Sequence, residues 1–524
     1  MMRHQTATNR LFPDAWSRLC RLLVGAGLAL LVGLVCGSSA MGAETSRLWG
    51  QNGERWEAGG RLPDYSYAGY HRGERPLPER RADVSVRDFG AVGDGKTDDT
   101  EAFKRALARA GGKVIGVPAG RYLITDILEI GESGTVLQGT GPKQTVIWVP
   151  KPLEKIRSNM GATTDGRPTS NYSWSGGIIW ARGRWTGRAL SNVTAPAQRG
   201  EQALVVDRPD QFRVGDEVRL ELRDDRDRSL THHLYAGDPG DFGNLRRVGE
   251  TWIARVVEVD GKTRRVVFDR PLRTDVRPAW QPTLYPAQSA AEEIGIEHLS
   301  FEFPVTPYRG HFTELGYNAI AYSGVRNGWI RNVEIRHADS GLFLSGANVT
   351  ATGVVWTSDR APNRNRTSTG HHGIILSGTD QLLTDFDFRT RFIHDITMTR
   401  GSAGNVIHNG RGEDLCFDHH KYANHANLFS DIDAGVGSNI FHSGGGAKLG
   451  RHCGAWTTWW NIRTAQPVGF PAGWTTDMIN IVGVKAAGEA VTDAEGRWFE
   501  VIAPDRLHPR DLYEAQLKRR LSAR

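Results

Sequence analysis

A chain of 524 residues can form one large domain or two ordinary ones, with ample material for a core. Its 62 glycines and 16 tryptophans, with few long apolar periodic runs, argue against a helical protein and for a turn-rich β protein. The formal charge of +6 is small for this length and spread along the chain, so it gives little reason to assign a nucleic-acid partner.

In chain order, residues 1–43 read as a secretory signal. Arg3, Arg10, Arg18 and Arg21 precede the apolar run "LLVGAGLALLVGLVCG", and the small residues of "SSAMGA" place cleavage after Ala40 or Ala43. The run is shorter than the ~20 apolar residues of a spanning helix. A secreted or periplasmic protein without stable membrane association is expected. The mature chain keeps only Cys416 and Cys453, which could pair in an oxidising compartment but are too few for a cysteine zinc site.

Residues 44–82 are rich in Gly, Pro and aromatics without a period, and read as an arm that wraps something larger. Tyr65, Tyr67 and Tyr70 in it either line the end of a groove or pack. Residues 83–184 open with "VSVRDFGAVGDGKTDDTEAFKRALARAGGKVIGVPAGRYLI". There Thr97 or Asp98 can cap a short helix whose stripe is Ala102, Phe103, Ala106, Leu107 and Ala110. Gly111 and Gly112 stop it, and strand resumes. Alternation around an Asp-Gly turn in "RVVEVDGKTRRVVFDRPL" marks 185–285 as a small β insertion. From 286 to 505 short strand-like pieces recur, among them "GLFLSG", "GIILSG", "HDITMT", "GNVIHNG" and "NIFHSG". The closing "LHPRDLYEAQLKRRL" within 506–524 reads as an amphipathic helix, a second cap or a tail laid on the body.

Several pieces repeat at a near-constant interval. His372 to His394 is 22 residues, His394 to His419 is 25, and His420 to His442 is 22, with a longer step of 32 from Gly341 to Gly373. A period in the twenties with no room for helices is the pattern of a parallel β-helix, whose coils stack about 4.8 Å apart. With "VRDFGAVGDGKTDDTEAFKRAL" and "VIGVPAGRYLI", the chain resembles the N-terminal signature of the pectate-lyase-like superfamily of rhamnogalacturonases, hydrolases, lyases and epimerases. That resemblance implies an all-β fold: a right-handed parallel β-helix with an N-terminal capping helix.

Stacking turns spacing into a site. "DLCFDHHKYANHANLFSDIDAG" from Asp414 to Gly435 is the densest polar stretch. One coil period brings His372, His394 and His419 or His420 to one side, with Asp414, Asp418 and Lys421 beside them. Adjacent strand residues face opposite ways, so a one-residue shift decides which of His419 and His420 reaches the groove. Turns accept Asn, Asp and His for structural reasons, but "FDHHK" exceeds what a turn requires.

The resemblance implies polysaccharide as the partner, and two mechanisms compete. In β-elimination, His419, His420 or Lys421 is the base, while Arg411 or Arg451 holds the uronate carboxylate. In hydrolysis, Asp414 and Asp418 work with Asp431 or Asp433. The polygalacturonase-type motifs are absent apart from "GHHG" at Gly370–Gly373, and imidazole suits proton transfer near neutral pH, so elimination is favoured. An epimerase would use much the same residues; a non-catalytic carbohydrate-binding β-helix would not need clustered His, Asp and Lys. The residues single out no one cofactor: Asp418, His419 and His420 with His394 or His442 could hold zinc or another divalent ion, and the aspartates calcium. Trp356, Tyr422, Trp456, Trp459 and Trp460 are either stacking platforms for sugar rings or buried strand residues.

Overall fold

The structure, a computed structural model, describes residues 43–363, 367–488 and 491–523. The predicted signal segment lies outside them up to residue 42. Among the described residues no helix is long and apolar enough to cross a membrane.

The chain coils into a right-handed parallel β-helix with one long sheet and one short sheet. Parallel registers run from coil to coil: Trp329 beside Thr350, Leu382 beside Val406, Val406 beside Leu428, and on the other sheet Gly370 beside Phe392. The fold follows from what these registers stack. On the long sheet a single interior ladder runs Ile115, Leu137, Ile296, Ile330, Ala351, Leu383, Ile407, Phe429, Trp459 and Ile481. On the short sheet its counterpart is Leu128, Ile179, Ile320, Leu342, Ile374, Ile396 and Phe417. All of these are buried. Each large member contributes about 1.5–3 kcal/mol relative to exposure, so the ladders dominate the energetics of the coil.

The helix Thr100–Arg109 covers the N-terminal end, burying Ala102, Phe103, Ala106 and Leu107. The Asp98 carboxylate accepts from the Thr100 N–H at 3.0 Å at its start. The arm and the helix Leu512–Ser522 lie together on the outer face of the long sheet. There Trp49, Leu62, Tyr65, Leu512 and Tyr513 pack on Val406, Leu428, Trp460 and Val482. The C-terminal helix is thus a tail along the side of the coil, and Tyr65, Tyr67 and Tyr70 are all buried packing residues.

The insertion is antiparallel. Strand Glu217–Arg223 pairs with Gly249–Asp260, which turns at Gly261 to pair with Arg265–Phe268. Its separate apolar core includes Ala423, Ala426, Ala455 and Trp456 from the coil. The insertion therefore stands directly behind the segment that follows His420.

Candidate functional site

Three consecutive strands of the short sheet build the site: Gly370–Leu376, Phe392–Met398 and Phe417–His419. Register sets His372 beside His394 and Thr397 beside Asp418. The imidazoles form a continuous cluster. Ring centroids are 3.9 Å apart for His371 and His372, 5.1 Å for His372 and His394, and 5.5 Å for His394 and His420. His311 adds to it at 4.5 Å from His371, and His442 at 6.1 Å from His394. His371, His372 and His394 are buried, and burial pushes all three well below the ordinary imidazole value, so they are neutral at pH 7.

Asp418 is the hub. It is fully buried, which alone would raise its pKa, but the adjoining His394 and His420 imidazoles and its hydrogen bonds hold it far below the usual carboxylate range. It accepts from His420 Nδ1 at 2.7 Å, from the Gly444 N–H at 2.8 Å and from Thr397 Oγ1 at 3.0 Å. Thr397 uses its one proton on Asp418, so His372 Nδ1, 3.0 Å away, donates to Thr397. His420 likewise has its proton on Nδ1, which leaves the Nε2 lone pair available on a side chain 27% exposed. Gly444 forms the opposite wall: a Cβ there would stand 2.6 Å from His420 Cε1, so only glycine lets the loop close on this ring.

Immediately after His420 the backbone makes a left-handed turn, with φ of 61° at Lys421, 59° at Tyr422 and 55° at Ala423. Three such residues cost about 1–2 kcal/mol each. The braces come from elsewhere in the fold. Tyr235 of the insertion accepts from the Ala423 N–H at 2.8 Å, and Asn424 Nδ2 donates to the carbonyls of Lys421 at 3.0 Å and His452 at 2.7 Å. Asn424 is in turn held by His419, whose Nδ1 donates to its Oδ1 at 2.7 Å.

This corrects the expected role of His419. It continues the interior ladder Tyr322, Leu344, Leu376 and Met398, and its ring sits among Phe429, Trp459 and Trp474. It faces into the coil while His420 faces out, so it cannot join His420 on one metal. Lys421 stays beside the cluster, donating to the Gly446 carbonyl at 3.0 Å along the loop that packs on His420. Asp414 is committed to a turn, accepting from Ser438 N at 2.8 Å and Ser438 Oγ at 2.6 Å. Arg411 lies on the long sheet, 2.8 Å from Asp387, away from the cluster. Arg451 is tied to Asp238 of the insertion and to the Gly473 carbonyl at 2.8 Å.

The aromatic candidates are packing residues. Trp459 lies in the interior ladder, and Trp356 stacks on Phe388 at 4.1 Å inside the coil. Trp456 and Tyr422 pack in the core of the insertion, and Trp460 donates to the Pro509 carbonyl at 2.8 Å. Cys416 and Cys453 are separate buried thiols.

His311 and Glu314 had no signal in the coil period because they come from the excursion between Glu302 and Asn318. Glu314 is buried, accepts from Tyr308, and stands 3.5 Å from His371 Nδ1; burial pushes it up to about 7. The polar groups form two overlapping triads whose candidate ligand atoms lie within 4.8 Å: His311, His371 and His394, and His394, Asp418 and His420. Among the described residues no three carboxylates gather in this way.

Residues 84–163 match the family described as "Rhamnogalacturonase A/epimerase, pectate lyase-like". The matched segment ends before any of the clustered histidines. Among curated proteins, the chain is 34% identical over 110 residues to the plasmin and fibronectin-binding protein A of Streptococcus pneumoniae, covering 18% of this chain and 15% of that one. It is 30% identical over 102 residues to alginate lyase 7 of Azotobacter vinelandii, covering 18% of this chain and 12% of that one. The chain thus spans less than a fifth of either relative's length. Among solved structures, the tailspike protein gp49 of Pseudomonas phage LKA1 aligns at 13% identity with a TM-score of 0.40, over 79% of this chain and 69% of that one. The family similarity is carried by residues 84–163, and the parallel coil continues beyond them.

Proposed function

We propose that the protein acts on a uronate-containing polysaccharide and cleaves it by β-elimination, with His420 as the base. The observation that carries this reading is the Asp418–His420 pair at 2.7 Å. A buried carboxylate fixes the imidazole tautomer, leaves the Nε2 lone pair available, and stabilises the imidazolium that forms when Nε2 takes a ring proton. The Gly444–Gly446 loop gives base and cation a common wall: Gly444 packs on His420 and Gly445 on the Lys421 side chain. A uronate carboxylate at Lys421 would place its acidic neighbouring carbon on the His420 side. Lys421 then offsets the charge that builds on the carboxylate as the proton leaves; the glycosidic C–O bond breaks as the ring double bond forms, and the His420 imidazolium gives its proton to the departing oxygen.

Hydrolysis would need two carboxyl groups flanking the bond, about 5–5.5 Å apart for retention and 6.5–9.5 Å for inversion. The neighbouring aspartates are otherwise engaged. Asp395 accepts from the N–H groups of Phe392 at 2.9 Å and Cys416 at 2.8 Å. Asp414 holds its turn, and Asp431 pairs with Arg463 and Arg510 on the long sheet. A binding-only role is disfavoured because the proposed stacking aromatics are core residues.

The test is to incubate the purified protein with a panel of uronate-rich and neutral polysaccharides. Ultraviolet absorbance of unsaturated uronate and reducing ends are followed together. Both rising in step supports the proposal; reducing ends rising alone assigns hydrolysis and overturns it. No cleavage, with epimerised uronate in the polymer, keeps His420 as the base but replaces elimination by reprotonation.

A further inference from the structure

Two buried histidines in the cluster do not satisfy the rule that buried polar groups find partners. His371 and His394 are each 1% exposed, and neither ring nitrogen of either has a hydrogen-bond partner among the described residues. Each buried polar atom left this way is destabilising unless a ligand meets it. The cost falls on neighbouring rings, 5.7 Å apart between centroids.

The surroundings of both rings share one pattern. His371 Nδ1 faces the Glu314 carboxylate at 3.5 Å, and His394 Nδ1 faces the Asp418 carboxylate at 3.5 Å. Glu314 is itself anchored by Tyr308, and Asp418 by Thr397 and Gly444. A carboxylate behind one nitrogen of an imidazole directs the proton there and turns the other nitrogen forward as a lone-pair donor. This is the second layer found behind metal-bound histidines. His311, stacked on Phe312 at 3.6 Å, brings a third imidazole, with one nitrogen from each of the three within 4.8 Å of the others.

We propose that His311, His371 and His394 bind one zinc-class divalent transition-metal ion, with Glu314 and Asp418 as the carboxylates that orient His371 and His394. Three imidazoles select borderline metals such as zinc or cobalt over calcium and magnesium, which prefer oxygen. Three protein ligands leave a fourth tetrahedral position open, the arrangement of a metal that receives water or substrate rather than one that only holds the fold. The inference rests on this geometry and not on the elimination reading, so either can fail alone.

The test uses the full-length mature protein, stripped with chelator and titrated with Co(II) and Zn(II). Visible absorption reports Co(II) coordination, calorimetry reports affinity, and elemental analysis reports the metal in protein as purified. The expected result is about one equivalent of Co(II) with a tetrahedral-type visible spectrum. His311→Gln, on the outer side of the cluster, should abolish that spectrum with the circular dichroism unchanged. Glu314→Gln should weaken affinity about 10–100-fold. His298→Gln, outside the cluster, and His420→Gln should both retain binding. Absence of stoichiometric binding by folded protein overturns the proposal. So does a spectrum that survives His311→Gln but disappears in His420→Gln, which would put the ion on His394, Asp418 and His420 instead.

Discussion

Two buried polar clusters sit on neighbouring coils of this protein, and they are built on opposite principles. At the seam with the insertion, Arg270 grips Asp380 through both amino groups at 2.8 and 3.2 Å. Arg273 bridges Asp380 and Glu250, and His425 meets the other Glu250 oxygen at 3.1 Å. Burial would raise both acids, but the cations beside them hold Glu250 and Asp380 below their ordinary values. Each carboxylate there has a cation. The histidine cluster instead buries neutral imidazoles beside one another, with ring nitrogens of His371 and His394 lacking hydrogen-bond partners among the described residues. The first arrangement fastens one part of the fold to another. The second gathers neutral imidazoles without a cation for each carboxylate, and such sites are where chemistry is found.

The comparison predicts opposite signatures. The largest effect should come from His420→Gln. Loss of the base should lower turnover by about 10²–10⁴-fold with the thermal midpoint nearly unchanged, read by ultraviolet absorbance and calorimetry. A fall in the midpoint with activity would make the cluster structural like the seam. At the seam, Asp380→Ala leaves Arg270 and Arg273 buried and uncompensated. It should cost about 3–5 kcal/mol in urea unfolding, and a loss under 1 kcal/mol would break the contrast.

An intermediate case joins the two regions. Asn424→Ala removes the brace between His419 and the left-handed turn. It should cost about 1–3 kcal/mol and reduce turnover through the displaced His420. Unchanged activity at reduced stability would show that the turn does not position the base.

The smallest effect concerns the C-terminal helix, where His408 Nδ1 and Asp511 Oδ2 meet at 2.6 Å. Burial would lower His408, but Asp511, with Glu514 and Asp385 behind it, raises it; burial would raise Asp511, but His408 lowers it. The raised histidine stabilises fully below the ordinary imidazole value and loses that contribution as pH rises through its folded value. The lowered aspartate stabilises fully above the ordinary carboxylate value and loses that contribution as pH falls. The helix Leu512–Ser522 should therefore dock most firmly between about pH 4 and 6.5. Hydrogen exchange of its amides, compared across pH with His408→Gln, should show a dependence that the variant flattens.

The coil was already legible in the residues. Apolar residues at a period in the twenties can bury themselves only by stacking, and the ladder from Ile115 to Ile481 is that period made solid. The capping helix was legible too, through the stripe from Ala102 to Leu107, as were the rungs on which His372, His394, Asp418 and His420 meet. Which way those residues point was settled by packing in three dimensions. Period names the rung, but facing is set by what lies above and below: Met398 draws His419 inward, while the left-handed turn braced by Tyr235 and Asn424 leaves His420 outside. The same competition buried Trp356 and Trp459, because a large apolar surface gains more in the ladder than on a groove wall. His311 and Glu314 reach the cluster from an excursion that the coil period does not count. A one-dimensional repeat specifies neighbours along its own axis, and contacts arriving from outside that repeat exist only once the chain has closed around them.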